Sequence, residues 1–258
     1  MATTTHYRDP QSLQVNRRIP LFRPFGWLAD AGRDLLAHPL ASMAYGVLVA
    51  VLGALVLAYQ RHPLFIASAV LGFLLIGPVF TAGLCELSRR RSRGELVNFD
   101  TSLRVLVRCR QPLLRLSLIL LVVAAAWFAI SLGVLYWMHG SIAPPLESTV
   151  WGDVWRQLTP PQLAVYGTSA LVLSVLAFLL TVISVPTIID REASAVSAMR
   201  SSAAAVRQQP LVMLVWALLV CALVIVGFAT WLLGLVVIFP LLGHATWRVY
   251  EEFGRQDR

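Results

Sequence analysis

Residues 211–247 read LVMLVWALLVCALVIVGFATWLLGLVVIFPLLGHATW, thirty-seven positions without one Arg, Asp or Glu and with His244 as the sole histidine. A helix crossing a bilayer needs roughly 20 predominantly apolar residues. This block is too long for one tilted helix and long enough for two short ones. Its turn is expected at Gly227–Thr230, the relatively polar, helix-weakening stretch inside it. Four further blocks resemble it: Pro39–Tyr59, Pro63–Leu84, Leu113–Met138 and Pro161–Ile189. Arg115, just inside one end of the third of these, is their exception. Over the whole chain 58% of residues are hydrophobic and 13% charged, against about 25% charged in a soluble domain.

These blocks predict an all-α fold, a polytopic transmembrane helical bundle. Backbone groups in hydrocarbon must bond within their own segment, and nothing shows the ~10-residue alternation of a membrane β-barrel. The expected spans are about 39–59, 63–86, 113–138, 161–187, 211–227 and 230–247. They form one membrane domain over residues 21–250, with residues 1–20 a poorly ordered tail and 251–258 a second tail. Residues 1–38 lack a compact apolar core, so Pro39–Tyr59 reads as an uncleaved first span rather than a signal peptide.

The 21 basic residues are all arginine. They gather before the first span (Arg8, Arg17, Arg18, Arg23, Arg33), between spans two and three (Arg89, Arg90, Arg91, Arg93, Arg104, Arg108, Arg110), between four and five (Arg191, Arg200, Arg207) and after the last (Arg248, Arg255, Arg258). The opposite connections hold Arg61 and Arg156. The positive-inside rule then places both termini in the cytoplasm of a bacterial inner membrane. The net charge of +8 is read as topology and contact with anionic lipids. A nucleic-acid surface is not expected, because each basic stretch is short and abuts a span. Cys85, Cys109 and Cys221 show no metal or redox spacing.

Three serial helical hairpins organise the chain. Each odd-numbered span opens on the same step, His38-Pro39-Leu40, Gln111-Pro112-Leu113 and Gln209-Pro210-Leu211, with proline suited to the first helical position. Each even-numbered span carries a proline towards its arginine-rich end: Pro78, Pro186 and Pro240. These read as helix kinks; a transporter site at broken helices is the alternative. The best match pairs Gly72–Pro78 with Gly234–Pro240, and the middle hairpin matches in its prolines and flanking charges. Amphipathic segments lead into the hairpins at Trp27–His38, Asp100–Gln111 and Arg191–Gln208. They suit short helices in the cytoplasmic interface, or else extensions of the spans. Gly46, Ala50, Ala54 and Ala58 make a small-residue stripe expected to face the second span, with its Gly72, Gly77 and Gly83. Between spans three and four, Trp151 and Trp155 suit a short amphipathic turn on the outer leaflet.

The spans lack the buried charges of ion coupling and the histidine pairs of haem or copper sites. No catalytic residue, cofactor site or metal site is expected. One candidate cluster remains: Glu86, Asp190 and His244 border even-numbered spans just after their prolines and could pair with Arg248, Arg191 or Arg89 to close the cytoplasmic end. Surface ion pairs of little energetic weight are the alternative.

Three stretches carry a family resemblance: Phe25–Gly46 (FGWLADAGRDLLAHPLASMAYG), Gly72–Pro78 with Gly83–Arg89 (GFLLIGP, GLCELSR), and Pro240–Trp247 (PLLGHATW). From about residue 20 onward the chain resembles a prokaryotic six-span integral membrane family of unknown function, some of whose members are labelled cytochrome c oxidase subunits. That resemblance implies a bacterial inner-membrane protein linked to respiratory complexes, and it transfers no catalytic residue. Without intramembrane histidine pairs such a link would be as an accessory subunit. The functional expectation is a non-enzymatic accessory, assembly or scaffold protein bound to other integral membrane proteins; the alternative is a channel or transporter for a neutral or lipid-like molecule.

Overall fold

A computed structural model describes residues 19–58, 63–139 and 160–254, and the described residues form helices and short connections without strands. The tail at residues 1–18, the outer-loop tryptophans and residues 255–258 lie outside them. In chain order the helices are α1 (Arg23–Ala37), α2 (Pro39–Ala58), α3 (Pro63–Ser92), α4 (Phe99–Arg108), α5 (Arg110–His139), α6 (Pro160–Thr181), α7 (Ser184–Arg191), α8 (Ala195–Gln208), α9 (Pro210–Ala229) and α10 (Leu235–Gly254).

Among the described residues, three stretches are long and apolar enough to cross a membrane: Arg110–Trp127, Gly167–Arg191 and Pro210–Ala229. A fourth arises if α1 and α2, bent by 106° at their junction, count as one broken span. The expected short helices are present as α1, α4 and α8, each ending one residue before or at the step into the next helix. The breaks have a common form. His38 closes α1 at φ −136°, ψ 63° and Gln209 closes α8 at φ −132°, ψ 60°. Cys109, at φ −104°, ψ 21°, departs less from helix. At each break the carbonyl still accepts from the amide four residues on: Ser42 to His38, Leu113 to Cys109, Met213 to Gln209. Pro39 and Pro210 occupy the first helical position of α2 and α9, where a missing N–H costs nothing. Pro112 is instead the third residue of α5, so the middle unit breaks earlier relative to its proline.

Pro78 and Pro240 lie inside α3 and α10. Pro186 does not kink a continuous helix. A proline ring clashes with the carbonyl four residues back, here Val182, and the helix parts there: α6 ends at Thr181 and α7 begins at Ser184. The last turn also lies later than expected. Trp231 and Leu232 adopt left-handed backbone (φ 53° and 68°), and Leu232 donates to the Gly227 carbonyl, the six-to-one bond of a helix C-terminal motif. The Thr230 hydroxyl accepts from the Gly234 amide, so α10 starts at Leu235 rather than at 230. At its other end α10 runs through Glu251 and Glu252 to Gly254 and buries Phe253, where a tail was expected.

The core sits at the arginine-rich end. Trp27, Leu116, Ile183, Ile188, Met213, Val249 and Phe253 are wholly or almost wholly buried there, with Trp27 edge-on to Trp216 at 5.9 Å between ring centroids. The small-residue stripe has a different partner from the one expected. Gly46 lies against the backbone of Val236 in α10, so closely that a Cβ would overlap the Val236 carbonyl oxygen. Gly53 meets Leu232. Of the glycines assigned to the second span, Gly83 does face α2, at the Tyr45 hydroxyl, while Gly77 has open space around it. The chain therefore closes on itself: the second helix packs on the last.

This geometry sets apart two glycines of similar sequence context. Gly46→Ala should cost about 1–3 kcal/mol, because the α10 backbone must move. Gly77→Ala should be neutral, or gain up to about 1 kcal/mol of helix propensity. Thermal unfolding of the two variants in detergent checks the contrast; equal melting temperatures would remove the α2–α10 contact.

Candidate functional site

Three segments distant in sequence meet at the junction of α1, α2, α3 and α10. Along α1 the buried positions are Pro24, Trp27, Ala31, Asp34 and Leu35, one face of a helix. Asp34 therefore points inward with the apolar residues and is 2% exposed. A buried carboxylate needs partners, and it has several. Arg248 of α10 meets it in a fork, Nε to Oδ2 at 2.9 Å and Nη2 to Oδ2 at 2.7 Å, with Nη2 also donating to Oδ1. Arg91, at the end of α3, donates to Oδ1 at 2.8 Å and holds the Arg33 carbonyl as well. The Ser88 hydroxyl donates to Oδ2 at 3.0 Å.

His244 extends this network into the bundle. Its Nδ1 lies 2.7 Å from Ser88 Oγ and its Nε2 lies 2.9 Å from Ser42 Oγ. Ser88 has one proton and gives it to Asp34, so Nδ1 carries the imidazole proton and Nε2 accepts from Ser42. The Ser42 hydroxyl is also 2.9 Å from the His38 carbonyl at the α1–α2 break, and its proton is shared between the two acceptors. Two donors run in series towards Asp34: His244 Nδ1 to Ser88, and Ser88 to the carboxylate. Ser42, Ser88 and His244 are each at most 1% exposed. With its oxygen enclosed, Ser42 ties the α1–α2 break to α10. A cleft of about 30 Å³ next to this network is lined by Arg23, Trp27, Asp30, Arg248, Glu251 and Glu252, room for on the order of one or two water molecules.

Glu86 and Asp190 lie elsewhere, so the single cluster expected from sequence divides into separate ones. Glu86, 1% exposed, takes a bidentate pair from Arg89, Nε and Nη2 each at 2.7 Å, and a third bond from Arg90 at 2.9 Å. Arg108 approaches it at 3.7 Å and donates to the Ile189 carbonyl, which links α4 to α7. The hydrogen bond from Arg89 to Glu86 raises the already high pKa of the guanidinium despite its burial. Asp190 pairs with Arg93 at 2.6 Å and accepts from the Tyr250 hydroxyl at 2.8 Å. Burial, and then the Asp190 carboxylate, push the Tyr250 phenol up, so it stays protonated and remains a donor.

Of the expected pairings the structure has Glu86 with Arg89, but it does not gather Glu86, Asp190, His244 and Arg248 into one cluster. Arg248 belongs to Asp34, and His244 to two serines. Asp34 was not among the residues expected from sequence. A signal was present: Asp34 falls seven residues after Trp27 and three after Ala31, on the buried stripe. Ser42 and Ser88 carried no signal of their own, since isolated serines in apolar helices are common. The end of α3 supplies all three clusters, with Ser88 and Arg91, Glu86 and Arg89, and Arg93 just beyond it.

Removing one member of a buried ion pair strands the other. Asp34→Asn and Glu86→Gln should each lower stability by about 3 kcal/mol, at the low end of such losses because part of each arginine set reaches solvent. His244→Ala combined with Ser88→Ala should cost less than the sum of the two single changes. Thermal unfolding of the detergent-solubilised variants measures all of this; an unchanged melting temperature for Asp34→Asn would mean the network holds nothing together.

Residues 65–190 match the model of a family described as predicted integral membrane protein (DUF2189). Comparison with curated proteins and with solved structures returned no significant match. Ser88, the Glu86 cluster, Asp190 and Arg93 lie within the matched residues, whereas Asp34, Ser42, His244, Arg248 and Tyr250 lie outside them. With several apolar helices of spanning length and this match, the chain is an integral membrane protein similar over residues 65–190 to the DUF2189 family.

Proposed function

We propose that the protein is a six-span component of the bacterial inner membrane, built as three serial hairpins with both termini in the cytoplasm, and that it serves as a non-enzymatic accessory, assembly or scaffold subunit for other integral membrane proteins. The observation that carries this reading is the closure of the arginine-rich end. Asp34, Glu86 and Asp190 are each held by arginines of the same chain. Both ring nitrogens of His244 are taken by serines. These groups are spent on contacts within the chain: Asp34 and His244 join α1, α2, α3 and α10, Glu86 holds arginines of α3 and α4, and Asp190 ties α7 to Arg93 and to α10.

The outward surface supports the same reading. Leu211, Leu214, Leu218 and Ile225 on α9, and Leu114, Leu118 and Val122 on α5, are exposed at helical spacing. Such faces suit lipid or the apolar flank of another membrane protein. Sidedness rests on the arginines, which crowd the ends of α3, α4 and α8. The oxidase labels borne by members of the resembled family make respiratory complexes the first partners to test.

Gentle solubilisation followed by native mass spectrometry should find the chain with other integral membrane proteins; a chain that carries lipid alone would overturn the accessory role. A reporter fused to the C-terminus should be active on the cytoplasmic side. A cysteine placed at Thr230 should react with an impermeant reagent added outside, and protection there would overturn the six-span count.

A further inference from the structure

The described arginines differ in what they meet; Arg191 bonds the Tyr250 hydroxyl. Arg23, Arg33, Arg89, Arg90, Arg91, Arg93, Arg108 and Arg248 each meet a carboxylate. Arg104, Arg110, Arg115, Arg200 and Arg207 are exposed and meet none among the described residues. Arg115 is the telling case. It sits five residues after Arg110, about 7.5 Å further along the axis at the rise of an α-helix, inside the spanning stretch Arg110–Trp127. Its neighbours on the helix surface, Leu114, Leu118 and Val122, are exposed apolar residues. A guanidinium on a lipid-facing surface without an internal counter-ion must reach the headgroup layer and find an anion there.

Arg115 is not isolated. The Cys109 break leaves the backbone close to helical, with Cys109 bonded back to Val105 and Leu113 to Cys109. Across it, positions 104, 108, 111 and 115 recur at spacings of four, three and four, one face of a helix. All four are exposed: Arg104, Arg108, Gln111 and Arg115. The face spans about 16 Å at 1.5 Å per residue. Beside it on α4 run Leu103 and Val107, the latter 75% exposed, which place apolar side chains at headgroup depth. Arg108 is partly engaged with Glu86 and Glu192, each at 3.7 Å; Arg104 and Arg115 are not.

We propose that the Arg104–Arg108–Gln111–Arg115 face of α4 and α5 is a binding site for an anionic phospholipid of the cytoplasmic leaflet, with Arg115 on its phosphate and Arg104 and Arg108 on neighbouring headgroup oxygens. A zwitterionic lipid brings its own cation and cannot balance this row; a net-negative lipid can. The site rests on the assignment of this end to the cytoplasmic headgroup layer. Binding measured in detergent makes no use of sidedness, so its failure would leave the topology to be decided by the reporter fusion alone.

The test is native mass spectrometry of the purified full chain in a neutral detergent, titrated with phosphatidylglycerol, phosphatidylcholine or inorganic phosphate. Phosphatidylglycerol should bind at least tenfold more tightly than phosphatidylcholine. Arg115→Gln should weaken it about fivefold, and Arg104→Gln together with Arg115→Gln about 25-fold, from the usual gain per basic residue near an anionic surface. Arg115→Lys, which keeps the charge, should keep the preference and shows that the fold is intact. Arg33→Gln, on α1 and paired with Asp30, should change nothing. Equal binding of the two lipids would overturn the proposal, as would an Arg33→Gln loss as large as that of Arg115→Gln. Inorganic phosphate that competes at millimolar concentration in place of the lipid would show a free-phosphate site and overturn it too.

Discussion

A carboxylate removed from water must be repaid in bonds, and Asp34 is where this protein concentrates that demand. Desolvating one ion costs several kcal/mol even after relaxation. Asp34 recovers it from a forked Arg248, from Arg91 and from Ser88. Those partners come from the last helix and from the end of α3, while Asp34 itself lies on α1. The bond set can form only if α1 folds back at His38 and lies along the start of the bundle. The 106° bend between α1 and α2 and the buried ion pair therefore require one another. Ser42, four residues past the bend, carries the same network into α2 through His244.

The rest of the arginine-rich end is arranged around the end of α3. Within two turns it presents Glu86 to α4, Ser88 and Arg91 to α1 and α10, and, just past its last residue, Arg93 to α7. A helix end rich in arginine would suffer self-repulsion if its charges all faced solvent. Here Arg89, Arg90, Arg91 and Arg93 each meet a carboxylate: Glu86 for the first two, Asp34 for the third and Asp190 for the last. Away from this end the contacts are apolar and close, as where Gly46 lets α2 approach the α10 backbone. Polar bonds set which helices are neighbours at one end, and small residues let them stay neighbours further along.

Part of this was legible one residue at a time. The pattern of helix, proline step and longer helix can be read from His38-Pro39, Gln111-Pro112 and Gln209-Pro210, and the backbone repeats it, with nearly equal torsions at His38 and Gln209. The position of the last turn was less legible. Gly227 and Thr230 are weak helix formers, but the chain stays helical to Ala229 and turns through Trp231 and Leu232. The reason is tertiary: Leu232 packs against Val49 and beside Gly53 of α2, which outweighs the cost of a left-handed backbone at a residue with a side chain.

Sequence by itself determined that this chain is helical and of membrane-spanning hydrophobicity, and that its positive charge lies at one end. Apolar run length and backbone self-satisfaction are properties of consecutive residues, so no fold is needed to read them. Tertiary structure decided which charges meet. Asp34 and Arg248 are 214 positions apart, and Ser42 and His244 are 202 apart. Arginines near any of the helix ends could have claimed any of the carboxylates on composition alone. The choice fell to whichever lay within bonding distance once Trp27 and Phe253 were buried and α10 had closed against α1 and α2, because in a dry interior an ion pair is worth its desolvation only at contact.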